Sequence, residues 1–184
     1  MKTKVGRRKP EGIKDYFALA FTTWGVGYLP VAPGTWGSAV AVAIYLGIEM
    51  WIENLRSAGL GFLNGPPQAH VWAVLAVLLT FFCLAGIWAS NRSVPLLGSS
   101  DPSEAVVDEL MGQFITFAFV PFGLEWPFIL AGFLLFRLLD IWKPYPIDDL
   151  QVLPGGLGIC ADDIVAGVYA GICLAVIYAV SLSI

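Results

Sequence analysis

The stretch Val71-Trp-Ala-Val-Leu-Ala-Val-Leu-Leu-Thr-Phe-Phe-Cys-Leu-Ala-Gly-Ile-Trp-Ala89 contains no charged residue. A helix rises 1.5 Å per residue, so about 20 apolar residues cross the roughly 30 Å hydrocarbon core of a bilayer. A surface helix of a soluble protein would carry a polar face, and this segment has none. The rest of the chain agrees. It has 184 residues, 58% hydrophobic and 14% aromatic, and only 13% are charged. Soluble proteins carry about 25% charged residues, and the mean hydropathy here is +0.76. The length suits one domain. The expected fold is an all-α integral membrane protein, a bundle of about five hydrophobic helices. They are placed at Trp36–Ile52, Val71–Ala89, Pro102–Val120, Trp126–Trp142 and Asp162–Leu182. Residues 54–69 and 143–161, rich in Gly and Pro, are expected to be loops.

Six of the ten Lys and Arg residues fall within the first 14 positions: Lys2, Lys4, Arg7, Arg8, Lys9 and Lys14. Residues 1–15 thus read as a basic cytoplasmic N-terminal arm, and residues 16–184 as a single helical membrane domain. No aromatic or basic repeat points to nucleic acid. Gly25, Gly27, Pro30 and Pro33 break the apolar run that a signal peptide would need. Threading the five segments from a cytoplasmic N-terminus gathers the charged blocks at one end. Thr35 and Ser38, Arg92, Asp108 and Glu109, Arg137 through Lys143, and Asp162 and Asp163 all fall on the cytoplasmic side. Glu49, Glu53, Arg56, His70 and Glu125 fall on the other.

An acid at the centre of a spanning helix costs roughly 2.5–3.5 kcal/mol, so acids set in apolar runs are functional candidates. Clustered carboxylates are also what Mg²⁺ requires. Asp101-Pro-Ser-Glu104 has the form of a capping box, whereas Asp108 and Glu109 lie a turn deeper, beyond what capping explains. Arg137, Asp140 and Lys143 stand at i, i+3, i+6 on one helix stripe. They suit a phosphate clamp or a self-neutralising ion pair. Asp162 and Asp163 open the last expected helix; one could be its N-cap, but a cap needs only one. Pro33-Gly-Thr-Trp-Gly-Ser38 could offer backbone N–H groups to a phosphate, with Thr35 and Ser38 beside it. Asp148 and Asp149 read as solvated turn residues. The single histidine, His70, falls on the face opposite the charged blocks, which argues against a Ser-His-Asp triad. Cys83, Cys160 and Cys173 form no disulfide framework, and no arginine follows Cys160 at the spacing of a cysteine-phosphatase loop. What remains suits metal-assisted phosphoryl chemistry. The alternative is a small membrane transporter or ion-binding protein, which predicts acids at several depths with access from both faces.

Three blocks carry a family resemblance. They are Pro33-Gly-Thr-Trp-Gly-Ser38; Asp101-Pro102 with Val106-Val-Asp-Glu109 and Gly112; and Phe136-Arg-Leu-Leu-Asp-Ile-Trp-Lys-Pro-Tyr-Pro-Ile147, continuing through Gly155-Gly156 to Asp162-Asp-Ile-Val-Ala-Gly167. On these the chain resembles phosphatidylglycerophosphatase A. The signatures of CDP-alcohol phosphotransferases and of histidine-type lipid phosphatases are absent. The resemblance implies Mg²⁺-dependent removal of the terminal phosphate of phosphatidylglycerophosphate, leaving phosphatidylglycerol. It also implies a bacterial inner-membrane location, with the bilayer and this lipid as partners. Asp108, Glu109, Asp162 and Asp163 are then the expected Mg²⁺ ligands and water-activating acids. Asp140 orders the site or joins the metal shell, and Arg137 and Lys143 neutralise the phosphate.

Overall fold

The computed structural model describes residues 3–58 and 69–183, with backbone alone at residues 56 and 69–72. Six α-helices follow in order: α1 Ile13–Thr23, α2 Pro33–Ser57, α3 Ala69–Leu97, α4 Val107–Phe117, α5 Trp126–Trp142 and α6 Gly156–Ser181. Short 3-10 helices occupy Val26–Tyr28 and Asp148–Val152. Among the described residues there is no strand, only an isolated bridge between Lys4 and Ser99.

The all-helical expectation holds; the described residues form six α-helices where about five were expected, the added one being α1. Among the described residues, three helices are long and apolar enough to cross a membrane: Pro33–Leu55, Ala73–Leu97 and Gly156–Ser181. The expected segment Trp126–Trp142 is recovered at both ends as α5, but its 17 residues reach only about 25 Å. The 11 residues of α4 reach about 16 Å. α3 continues past Ala89 through Arg92 and Pro95. At 29 residues it is roughly 43 Å long, more than a hydrocarbon core needs, so its charged end has room to emerge. The expected loop 54–69 loses its first residues to α2; residues 59–68 and the side chains of Arg56 and His70 lie outside the described residues.

α1 was not expected from sequence, because Lys14, Asp15 and Gly25 interrupt its apolar run. It buries Asp15, Ala18, Thr22 and Thr23 and leaves Ile13, Tyr16 and Phe17 exposed. Polar groups turned inward and apolar groups outward reverse the soluble pattern and fit a surface against lipid. Asp15 is satisfied in place. Arg8 Nη1 and Nη2 donate to its two oxygens at 2.5 and 3.0 Å, Arg92 Nε at 2.6 Å, and the Glu11 N–H at 2.8 Å. The Arg8 hydrogen bonds, then the Glu11 N–H, hold its carboxyl well below the usual range. Domain boundary 15/16 therefore falls inside α1, and the arm is docked. The Val5 and Arg8 N–H groups donate to the Gly98 and Pro95 carbonyls, and the Ser100 N–H to Thr3.

Close helix approach is set by small residues, the usual device where lipid removes the hydrophobic drive. A Cβ on Gly167 would lie 2.9 Å from Gly112 Cα, and one on Gly112 would lie 2.7 Å from the Asp163 carbonyl oxygen. Thr116 Oγ1 stitches the crossing, donating to Gly112 at 2.9 Å with Gly167 O at 3.3 Å. Phe136, fully buried, fills the adjoining space with Ile147, Ala166 and Ala170. The α4–α6 crossing brings the two acidic segments together.

Candidate active site

α4 begins at Val107, so Asp108 and Glu109 stand in its first turn. The cap position is Val106, with no side-chain cap bond. The expected capping box at Asp101–Glu104 is not formed; those residues lie in the turn before the helix, which starts later because Val106 N–H donates to Thr22 O. Nor do Asp162 and Asp163 open a helix. α6 starts at Gly156, where a Cβ would strike the Ile87 carbonyl of α3 and Asn91 Oδ1 accepts the Gly156 N–H at 3.2 Å. The two aspartates are thus buried in the second turn of α6. Capping explains neither.

Asp108, Glu109 and Asp163 each offer an oxygen, and these lie within 4.8 Å of one another. Asp108 and Asp163 are buried. Burial first, eased by the Glu109 hydrogen bond and increased by the Asp162 and Asp140 charges, pushes the Asp108 carboxyl up to about 6. Burial, then the Asp108 charge, pushes Glu109 well above its ordinary range. Glu109 Oε2 has no hydrogen-bond partner. Three crowded carboxylates with an unfilled acceptor form a donor set suited to a hard divalent cation. Their oxygens fit Mg²⁺ by ligand type.

Asp162, expected as a fourth ligand, is outside the three-acid group and pairs with the Lys143 ammonium. Its Oδ2 accepts from Lys143 Nζ, while Oδ1 is buried without a partner. Lys143 Nζ also lies 3.9 Å from Asp140 Oδ1. Burial pushes the Lys143 ammonium down, but the Asp162 hydrogen bond and charge outweigh it and hold it above its ordinary value. Lys143 reaches this place because it ends α5 in the left-handed region (φ 48°), and Pro144 stops the helix there. Arg137 Nη1 donates to Asp140 Oδ2 at 2.7 Å.

These groups meet in a cavity of about 1010 Å³ whose wall includes Asp108, Glu109, Asp140, Lys143, Asp162 and Asp163. Asp101–Ser103, Asp148, Asp149, Gln151 and Val152, and Thr3 of the arm also line its wall. Asp148 and Asp149, expected as solvated, are exposed and on this wall. Arg137, Thr35 and Ser38 are not on it. Arg137 sits behind the acids: a Cβ on Gly34 would lie 3.2 Å from its Nη1 and would strike Glu109. Ser38 is buried and donates to Gly34 O at 3.1 Å. The Pro33–Ser38 motif therefore works as a packing seat: Gly34 admits the Glu109 and Arg137 side chains, and Gly37 admits Val106. Gln113, one turn beyond Glu109, is fully buried with both amide atoms unpartnered. Sequence reasoning passed over it because a lone glutamine in an apolar run carries no charge signal.

The phosphatidylglycerophosphatase A family model matches residues 19–178. A Bacteroides thetaiotaomicron protein, provisionally named a phosphatidylinositol-3-phosphatase, is 36% identical over 86% of this chain and 91% of its own. The Escherichia coli K12 phosphatidylglycerophosphatase A is 35% identical over 79% of this chain and 73% of its own. The Haemophilus influenzae phosphatidylglycerophosphatase A is 32% identical over 80% and 79%. No solved structure matches. A match across nearly all of the helical region, and relatives of this identity covering most of both chains, mean that the chain is a phosphatase belonging to the phosphatidylglycerophosphatase A family.

Proposed function

We propose that this protein removes the terminal phosphate of phosphatidylglycerophosphate, using Mg²⁺ held by Asp108, Glu109 and Asp163. The observation that carries the reading is the three-acid cluster, Asp108 and Asp163 buried and Glu109 half-buried, on the wall of a cavity that also holds the Lys143 ammonium. Bound there, Mg²⁺ would supply charge neutralisation to the phosphate oxygens. The chain's own groups do the rest. Lys143 faces the phosphate as a cation, and Asp162 and Asp140 hold that ammonium in place. Arg137 orients Asp140 from behind. A carboxylate of the cluster accepts the proton of an attacking water. Burial of the acids away from bulk water strengthens these interactions.

The name of the Bacteroides relative motivates a second reading, a phosphomonoester on another phospholipid headgroup. Phosphate release by purified protein from phosphatidylglycerophosphate and from phosphatidylinositol 3-phosphate separates the two. We expect turnover of the first to exceed the second at least about tenfold, a factor of about 1.4 kcal/mol in barrier. The reverse preference would replace the proposed substrate. The transporter reading is disfavoured because the three-acid cluster and the Lys143 pair gather on one cavity wall.

We place the cavity on the cytoplasmic side of a bacterial inner membrane. The support is the basic N-terminal segment, docked by Arg8 and Thr3 beside the same end of α3 as the cavity wall. Three crossings and five both put the C-terminus on the far side. A C-terminal fusion to a reporter active only outside the cytoplasm is expected to be active; activity of a cytoplasm-only reporter would reverse the orientation.

A further inference from the structure

One edge of the cavity is apolar. Val152 and Leu153 line it, yet Val152 is 85% exposed and Leu153 39%. Each therefore faces both the cavity and the surroundings of the protein. Leu157, in the first turn of α6, continues the exposed strip at 48%. Trp142, which ends α5, and Tyr145, three residues on, are 70% and 84% exposed and flank Lys143 of the cavity wall in sequence. Gly156–Ser181 is one of the three segments able to cross a membrane, so the turn that opens it marks the level where the chain enters the bilayer. Tryptophan and tyrosine at that level match an interfacial belt. The acids and Lys143 occupy the same cavity as this edge. An occupant suited to both has a phosphorylated head at one end and an apolar body at the other.

We propose that Val152, Leu153 and Leu157 form a lip over which the acyl chains of the phospholipid substrate lie while its headgroup enters the cavity sideways from the bilayer. This rests on the phosphatase reading above and adds to it the place where the lipid body sits. The committed occupant is the diacylglycerol part of the substrate. Continuity of the lip with the cavity favours it over a second copy of this chain, which would bury the lip and close the mouth. The lip separates bilayer substrates from water-soluble phosphomonoesters, because only the former gain from apolar contact there.

The test uses the full-length protein in detergent micelles and two probes. One is dioleoyl phosphatidylglycerophosphate; the other is the same headgroup without acyl chains, glycerophosphoglycerophosphate. The double variant Val152→Asn, Leu153→Asn, which removes the apolar contact without adding charge near the phosphate, is expected to lose at least about tenfold in kcat/KM on the diacyl probe and to stay within about twofold on the deacylated one. The conservative pair Val152→Leu, Leu153→Ile is expected to match the parent on both. Equal loss on both probes, or no loss on either, overturns the lip. So does a change in the variant's oligomeric size in detergent, which would give the strip to a second copy. A parent protein that acts on neither probe overturns the phosphatase reading itself, a result unlike any that a failed lip would give.

Discussion

Asp108→Asn and Asp163→Asn are each expected to cut phosphate release by at least about a hundredfold, within the range lost when a positioned acid–base group is removed. The substitution keeps the shape of the side chain and removes its charge. Both aspartates are buried, 8% and 4% exposed, and both offer an oxygen to the three-acid cluster. A carboxamide there is a weaker cation ligand and cannot take a proton from water. Glu109→Gln should behave alike, since Glu109 completes the cluster. Glu104→Gln and Glu125→Gln serve as controls and should keep most activity. Glu104 precedes α4 and is not on the cavity wall, and Glu125 stands at the position before α5 with no side-chain capping bond and is not on that wall either. Steady-state turnover of variants that purify with the parent's yield and helical content decides the matter. Normal rates in the cluster variants, with loss in Glu104→Gln, would move the active site to other acids.

Exhaustive chelation with EDTA is expected to abolish activity, and Mg²⁺ to restore it. The physical ground is the repulsion among buried carboxylates. Burial and mutual charge lift Asp108 and Glu109, so the empty cluster opposes folding of its ionised form. A bound cation removes that opposition and stabilises the folded state by RT ln(1 + [L]/Kd), about 2.7 kcal/mol at a hundred times Kd. Thermal unfolding of the parent should therefore shift upward with Mg²⁺, and that of Asp163→Asn much less. This second readout needs no turnover. Undiminished phosphate release after chelation, with no Mg²⁺ effect on melting, would remove the metal from the site.

Much of the site was legible because charge is rare in this chain. Every acid of the cluster lies in an apolar run, so the cost of burial marked Asp108, Glu109, Asp162 and Asp163 without further knowledge. Their division of labour was not legible. Asp162 and Asp163 are adjacent in sequence, but neighbours on a helix point about 100° apart, so one joins the cluster while the other meets Lys143. The role of Pro33–Ser38 was misplaced for a related reason. Small residues before a helix suit a phosphate cradle or a close helix contact equally, and only the position of Glu109 and Arg137 against Gly34 decides. The fold shows the same split. α5 has clean ends because Glu125-Trp-Pro and Lys143-Pro punctuate it. α1 was hidden because its buried aspartate is neutralised by Arg8 and by Arg92, the latter far along the chain, and no local pattern announces such a pairing.

The glycine crossing of α4 and α6 bears on which ion the protein can prefer. Asp108 stands four residues before Gly112, and Asp163 four residues before Gly167. Each helix thus carries its acid one turn ahead of its crossing point, and the spacing between the acids is inherited from backbone contact at the glycines. Mg–oxygen distances are about 2.0–2.1 Å and Ca–oxygen distances about 2.3–2.6 Å. A methyl group on Gly167 would lie 2.4 Å from the Gly112 carbonyl oxygen, so relieving it would part the helices by more than that difference. For a cation held as proposed, the gauge of its size would be two residues that it does not touch.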